Sequence, residues 1–473
     1  MITLGVVFEV LKGIQPPWSD QIIADVGIDS RKLIPGSMFV ALAGESVDGH
    51  DYVQDAFNRG ASFALIDHPV EDGIRVIDLR AGAKEDYEQE PEVPFCLLVD
   101  DALTALQRVA GAWRKKLELR VIAITGSVGK STTKELTTTV LRQRYRTLKN
   151  PGNLNNEIGL PMTLWRLGEG HQRAVLEMGF YVPGEIEFLC GLARPSVGVI
   201  TTIGTVHAER AGSQEQIVRG KAELVEALPP APEGTAILNY DDPLVRDMAE
   251  VTEARVFYYG LSPDADLWAD QVEGLGLDGI RFRLHYQGEN IYLKVPLIGR
   301  HSVHTVLRAA AVGLVEGLSW EEISRGLRSE HTQLRLVAVR ASSGAMILDD
   351  TYNASPKSML ADLNLLEEMV GRKIAVLGDM LELGHYEEQG HRKVGIRAAE
   401  VADVLVTVGR LGQQIAHAAA ESGFKSEDIH SFLSGEEASE FLKGFLVEND
   451  VVLIKGSRGM RMDKIVAALE ANP

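Results

Sequence analysis

Residues 125–135 read TGSVGKSTTKE. A glycine turn ending in Gly-Lys-Ser carries the chemistry of polyphosphate binding. Glycines let successive N–H groups turn inward, and a helix that starts there adds positive potential. Lys130 is placed to neutralise the β and γ phosphates, and the Ser131 hydroxyl to reach Mg²⁺. The spacing is shorter than the usual G-x-x-x-x-G-K-[ST]: that signature's first glycine would fall at Ile124, whereas Gly126 lies only three residues before Gly129. An ordinary strand-to-helix turn can also hold these residues.

Three downstream residues strengthen the nucleotide reading. AVLEMG puts Glu177 at the end of an apolar strand, where parallel sheets place ligand sites. VITTIGTVHAER puts His207 just past another such strand, and RGKAELVEAL puts Lys221 near the start of a helix. Singly, each has a plainer role, as a turn cap, a surface imidazole and a solvated lysine. Together with the loop, the carboxylate and imidazole make a Mg²⁺ shell, although magnesium prefers oxygen. An ammonium beside a metal makes electrostatic sense only if it is modified or faces phosphate.

The chain that must position these groups has 473 residues, enough for two to four domains. Its formal charge of −19 argues against general nucleic-acid binding, which needs cations to displace phosphate counterions. Cys96 and Cys190 are its two cysteines, with no CxxC pair, so neither a disulfide framework nor a zinc site is indicated. The start MITLGVVFEVLKG lacks the pattern of a signal peptide, and no run of about 18 apolar residues is present. A cytoplasmic protein without membrane insertion is expected.

The acidic stretch AGAKEDYEQEPEVP reads as an exposed loop. Beyond it Leu103, Leu106, Val109, Ala110 and Trp113 share one face of a helix that leads into the strand VIAIT. VIAIT, AVLEMG, VGVITTIG and TAILNY alternate with amphipathic helices, the pattern of a mostly parallel sheet. ARVFYYG, GIRFRLHYQ and NIYLKVPLI predict a small antiparallel addition, closed by a helix over 301–317. AMILDD, KIAVLGD, VLVTVG and VVLIKGS then restart the α/β alternation.

The segments TGSVGKSTTKE, NPGNLNNEIGLP, LEMG and GTVHAERAGSQEQIVRGKAE resemble the central domain of the Mur ligases. That family uses the short loop T-G-x-x-G-K-[ST]-[ST], which leaves Ile124 outside the motif. The resemblance implies ATP binding by Gly126, Ser127, Val128, Gly129, Lys130, Ser131 and Thr132. It implies two Mg²⁺ ions held through Ser131, Glu177, His207 and a carbamylated Lys221, whose added carboxylate removes the electrostatic objection. Lys130, Glu157, His207 and Lys221 become the catalytic candidates, with Glu157 organising the second metal.

The resemblance runs nearly end to end. It implies three α/β domains: residues 1–98 for a UDP-sugar substrate, 99–328 for ATP on a P-loop sheet with the antiparallel addition, and 329–473 with a Rossmann-like fold. In the first, Ser30, Arg31, Asp48, Gly49 and His50 match substrate-binding positions. In the last, LDDTYNASPKSM, AVLGDMLELGHYEEQGHRKVG and LIKGSRGMRMDKIV resemble the member that joins D-alanyl-D-alanine to UDP-N-acetylmuramoyl-tripeptide, and the DNPR motif of the preceding ligase is absent. Arg335, Asp350, Tyr352 and Asn353 match nucleotide contacts, and Lys455 and Ser457 face the substrate cleft. A monomer that binds no nucleic acid is expected.

Two positions depart from the family. Its G-x-H-N-x-x-N segment reads GRHSVHT here, with Ser302 and Thr305 in place of the asparagines, and hydroxyls cannot offer an amide's paired donor and acceptor. The arginine context TQLRL also lacks the glycine that relatives often carry. Other readings are an amide ligase for another amino acid or dipeptide, a non-catalytic nucleotide-binding regulator, and a P-loop kinase that phosphorylates a small acid.

Overall fold

The structure is a computed structural model that describes residues 2–44, 47–70, 73–83, 87–205, 208–329 and 336–470. The chain folds into two compact units. One comprises Met1–Ala123, Tyr145–Gly179 and Glu185–Ser196; the other comprises Ile124–Arg144, Phe180–Gly184 and Val197–Pro473.

The first unit holds a five-stranded, all-parallel sheet in the order Val26–Gly27, Met38–Val40, Phe63–Ile66, Phe95–Leu98, Val76–Asp78. Phe39, Ala41, Val53, Ala56, Phe57, Ala64, Ile66 and Cys96 form a core on it. Burial pushes the Cys96 thiol up to about 12, so it acts as a small apolar side chain. The helix Ala102–Lys116 starts at Asp101, whose carboxylate accepts the Thr104 N–H at 2.6 Å. It buries Leu106, Val109, Ala110 and Trp113 as the spacing predicts, with Leu103 half-buried. Arg114 on this helix is also buried and satisfies its guanidinium on the carbonyls of Ala193, Leu117 and Leu119. Thr147–Lys149 pairs in parallel with Arg173–Glu177, which ends on the candidate metal ligand.

In the second unit, Val197–Ile200, Thr235–Asn239, Arg255–Gly260 and Leu267–Gly274 pair in parallel. Ile280–Tyr286 and Glu289–Val295 then pair antiparallel. The expected antiparallel addition is therefore corrected at its first member. Arg255–Gly260 follows the crossover through Pro243–Arg246 and Asp247–Val251, and a crossover returns the chain parallel to the preceding strand. The helix foreseen over 301–317 is a short 3₁₀ turn, Arg300–Ser302, running into Val303–Val315.

A six-stranded sheet completes this unit, in the order Val337–Arg340, Met346–Asp350, Asp450–Lys455, Arg372–Gly378, Val404–Val408, Ile429–Phe432. Its first pair is antiparallel and the rest are parallel. The four runs picked out by hydropathy are its buried strands. The two not foreseen, Val337–Arg340 and Ile429–Phe432, are edge strands with little buried surface. Among the described residues, no helix is long and apolar enough to cross a membrane.

Candidate active site

The strand Arg120–Thr125 delivers the glycine loop, and the helix Lys130–Leu141 leaves it. Gly126 and Gly129 adopt φ of 141° and 82°. A Cβ at Gly126 would lie 1.9 Å from Thr201 Oγ1, so this position excludes any side chain. Residues past the neighbouring strand pin the loop from behind. Thr201 donates its hydroxyl to the Val128 carbonyl at 2.7 Å, Ser127 N–H donates to the Thr202 carbonyl at 2.8 Å, and Gly204 N–H donates to Ser127 Oγ at 2.9 Å. Lys130 Nζ folds back onto the Gly126 carbonyl at 2.8 Å, poised over the turn. Ser131 and Thr132 are half-buried on the first helical turn.

Lys221 is not near a helix start. It sits in the middle of Gln214–Glu226, because Ser213 caps that helix by accepting the Gln216 N–H. Its side chain is 1% exposed, and Nζ lies 4.5 Å from the centre of the Phe180 ring. The preceding glycine makes room for this packing: a Cβ at Gly220 would meet Phe180 Cε2 at 2.0 Å.

Glu177 belongs to the first unit and is buried. Two asparagines of the NPGNLNNEIG segment hold it. Asn155 Nδ2 donates to Glu177 Oε1 at 3.0 Å, while Asn150 exchanges bonds with the Glu177 backbone, donating to its carbonyl at 3.0 Å and accepting its N–H at 2.9 Å. The sequence reading missed both, although the asparagine-rich spacing marked the segment. Glu157, on the same segment, is exposed, and its carbonyl accepts the Gln107 amide. His207 and Arg335 lie outside the described residues.

The second unit brings loop residues and C-terminal residues around one pocket. Ser127, Val128, Gly129 and Thr132 line it with His301, Ser302 and Thr305, and with Asp350, Asn353, Asp362 and Lys455. Lys455, expected in the substrate cleft, is a wall of this pocket. It is 1% exposed and bonds to Asp350, with Asp362 Oδ2 at 2.9 Å. The buried Asp362 and the half-buried Asp350 thus share one ammonium, and burial raises the Asp362 carboxyl above the ordinary carboxylate range. Tyr352 is exposed, with the Arg458 guanidinium 5.8 Å over its ring. Ser457 is buried, its hydroxyl accepting the Leu381 N–H at 2.8 Å.

The two departures at 302 and 305 take on definite roles. Ser302 donates its hydroxyl to the Ile298 carbonyl at 2.7 Å. Thr305 Oγ1 accepts Nη2 of Arg308 at 2.9 Å. Arg308 is buried, its Nε donates to the His304 carbonyl, and Nη1 has no hydrogen-bond partner among the described residues. Burial lowers its pKa. A Cβ built on Gly129 would lie 3.4 Å from both terminal nitrogens, so this cation backs directly onto the glycine loop.

In the first unit, Ser30 donates to Asp55 Oδ2 at 2.7 Å. Arg31 is solvent-exposed and paired in bidentate fashion with Asp29. Asp48 caps the turn Gly49–Tyr52 by accepting the His50 N–H, and Gly49 is required there because a Cβ would meet Leu42 N at 2.7 Å.

Family models match in chain order: "Mur ligase family, catalytic domain" over residues 22–114, "Mur ligase middle domain" over 124–313, and "Mur ligase, glutamate ligase domain" over 334–458. The chain belongs to the Mur ligase family and has its three-domain α/β architecture. Within it, the UDP-N-acetylmuramoyl-tripeptide–D-alanyl-D-alanine ligase of Bacillus subtilis is 36% identical, with 100% of this chain and 99% of that one covered. The Escherichia coli ligase of the same name is 33% identical over the same shares. Among solved structures, MurF from Acinetobacter baumannii superposes with a TM-score of 0.83 at 30% identity, covering 98% of each chain. MurF from Thermotoga maritima in complex with ADP superposes at 0.78 with 25% identity, covering 95% of this chain and 98% of that one.

Proposed function

We propose that this chain is an ATP-dependent ligase that joins D-alanyl-D-alanine to UDP-N-acetylmuramoyl-tripeptide in the cytoplasm, supplying a peptidoglycan precursor. The observation that carries this reading is coverage: the 36% identity to a ligase of that name runs through the whole chain. A likeness confined to the phosphate loop would fit a kinase equally well. The structure supports the nucleotide half of the reaction through the pinned loop and the pocket shared with Asp350, Asn353 and Lys455.

The terminal carboxylate of the tripeptide is a poor electrophile. Its oxygen attacks the γ phosphorus, the bond from γ phosphorus to the bridging oxygen breaks, and ADP leaves. The amine of D-alanyl-D-alanine then adds to the acyl phosphate carbonyl, loses a proton and expels phosphate. Lys130, released from the Gly126 carbonyl, balances charge on the γ phosphoryl group, and the loop N–H groups hold the β phosphate. Arg308 adds a fixed cation behind the loop.

Taken by donor type, the Ser131 hydroxyl and the buried Glu177 carboxylate are hard oxygens of the kind magnesium prefers, and Glu177 accepts a hydrogen bond from Asn155. Ser131, Glu177, His207 and Lys221 as its carbamate are the proposed ligands for two Mg²⁺ ions, which would neutralise phosphate charge as it shifts. A carbamate at the buried Lys221 would be an enclosed anion, so it would need the metal cations as partners. Domain limits at 98 and 328, substrate contacts from Ser30, Arg31, Asp48, Gly49, His50 and Ser457, and a monomeric state complete the proposal.

Tripeptide labelled with ¹⁸O in its terminal carboxylate tests the route. One labelled oxygen should appear in the released phosphate, alongside a pentapeptide product seen by mass. Unlabelled phosphate would rule out acyl phosphate formation.

A further inference from the structure

The first unit contains a second constellation of metal-ligating groups, built where two loops meet at the carboxyl end of the five-stranded sheet. Asp48 enters from the turn after Met38–Val40, fixed by an antiparallel bridge to Ala43, and His50 follows on the 3₁₀ turn. His68 comes from the end of Phe63–Ile66, beside Asp67. The two imidazoles stack with centroids 3.5 Å apart. One donor atom from each of Asp48, His50 and His68 lies within 4.8 Å of the others. His50 Nδ1 is 2.7 Å from Asp48 Oδ1, and His68 Nε2 is 3.2 Å from Asp48 Oδ2. With metal–nitrogen bonds of about 2.0 Å, tetrahedral ligands stand roughly 3.3 Å apart, close to these two separations. The stacked rings must swing apart for both in-plane lone pairs to reach one ion, and His68, the more exposed ring, is the one that moves.

The outer nitrogens carry the argument further. His68 Nδ1 lies 2.9 Å from Asp67 Oδ1, and His50 Nε2 lies 3.3 Å from the same oxygen. One carboxylate thus faces the remote nitrogen of both rings, which is how metal-bound histidines are oriented and made more basic. With His68 donating from Nδ1, its Nε2 lone pair faces a carboxylate oxygen of Asp48, an arrangement that a cation between them relieves. Without a cation, His50 donates from Nδ1 to Asp48 and accepts the Asp67 N–H on Nε2 at 3.2 Å. Metal binding at Nδ1 shifts the ring proton to Nε2, which then donates a hydrogen bond to Asp67 Oδ1. The cost is the hydrogen bond from the Asp67 N–H.

We propose that Asp48, His50 and His68 bind a divalent transition cation of the imidazole-favouring class, with Asp67 orienting both rings. This site uses none of the magnesium ligands proposed for the ligase reaction, but it shares Asp48 and His50 with the proposed substrate contacts. Two imidazoles and a carboxylate select zinc, cobalt or nickel over magnesium. Bound metal ties the Asp48–His50 turn to the strand end that carries His68.

The test uses the full chain, stripped by a chelator, dialysed and titrated with zinc alone in the absence of nucleotide. His68→Ala is a mild substitution, since that side chain is 44% exposed, and its melting curve without metal should match the parent. The expected result is one zinc equivalent in the parent that His68→Ala loses or binds at least tenfold more weakly, with Asp67→Asn weakening it by about 10–100-fold. Cobalt should give the parent a visible tetrahedral absorption band that His68→Ala lacks. No zinc bound by the parent, or a change below tenfold in His68→Ala, overturns the site.

Discussion

Arg308 donates through Nη2 to the Thr305 hydroxyl at 2.9 Å, and the same guanidinium lies 3.4 Å from where a side chain on Gly129 would begin. Position 305 therefore supports a cation behind the glycine loop instead of presenting an amide. Arg308→Met keeps the volume and removes the charge. KM for ATP should rise about tenfold, roughly 1.4 kcal/mol, with a smaller change in kcat. Steady-state kinetics with the other substrates saturating measures this, and an unchanged KM contradicts the role.

Asn155 orients the Glu177 carboxylate from 3.0 Å. Asn155→Ala leaves the carboxylate in place but frees its rotamer, and partners of this kind are worth about 10–100-fold in metal affinity. The magnesium dependence of the reaction should shift to higher concentration while saturating magnesium restores most of the rate. A loss that magnesium cannot restore would mean that Asn155 acts on the fold or the substrate.

Asp362 shares the Lys455 ammonium with Asp350 in a buried setting that raises its pKa. A carboxyl whose folded pKa exceeds its unfolded value of about 3.9 holds its proton more tightly in the folded protein. Its contribution is favourable at low pH and is lost as pH climbs from the unfolded toward the folded pKa. Asp362→Asn removes that loss and leaves Lys455 paired with Asp350. The melting temperature of the variant relative to the parent should therefore increase between pH 5 and pH 8. A difference that is flat or falls with pH contradicts the shared-ammonium account.

Lys221 is buried against Phe180 in the middle of its helix. If its carbamate is the working form, Lys221→Ala should lose activity that carbon dioxide cannot restore, while a short-chain carboxylate recovers part of it. A fully active alanine variant contradicts the role.

The sequence displayed what is local. The loop TGSVGKST, its strand and its helix could be read directly, because glycine conformation and strand hydropathy are properties of adjacent residues. Buried strands such as Asp450–Lys455 were legible for the same reason, whereas the edge strands Val337–Arg340 and Ile429–Phe432 bury too little to leave a pattern. Partners far apart in the chain were hidden. Lys455 and Asp362 are 93 positions apart, and nothing in either segment announces the other. Thr305 read as a lost amide because its new partner, Arg308, looks like one more helical arginine until its burial is known. His68 carries no local signal in the sequence, because its stacking on His50 exists only in three dimensions.

The central claim is that ATP cleavage is coupled to joining two specific substrates. Phosphate release from ATP should be measured with UDP-N-acetylmuramoyl-tripeptide and D-alanyl-D-alanine together, and with each omitted in turn. Sustained release only when both are present, matched one for one by pentapeptide product, is the predicted result. Release at the same rate with either one missing, or without product, would contradict it.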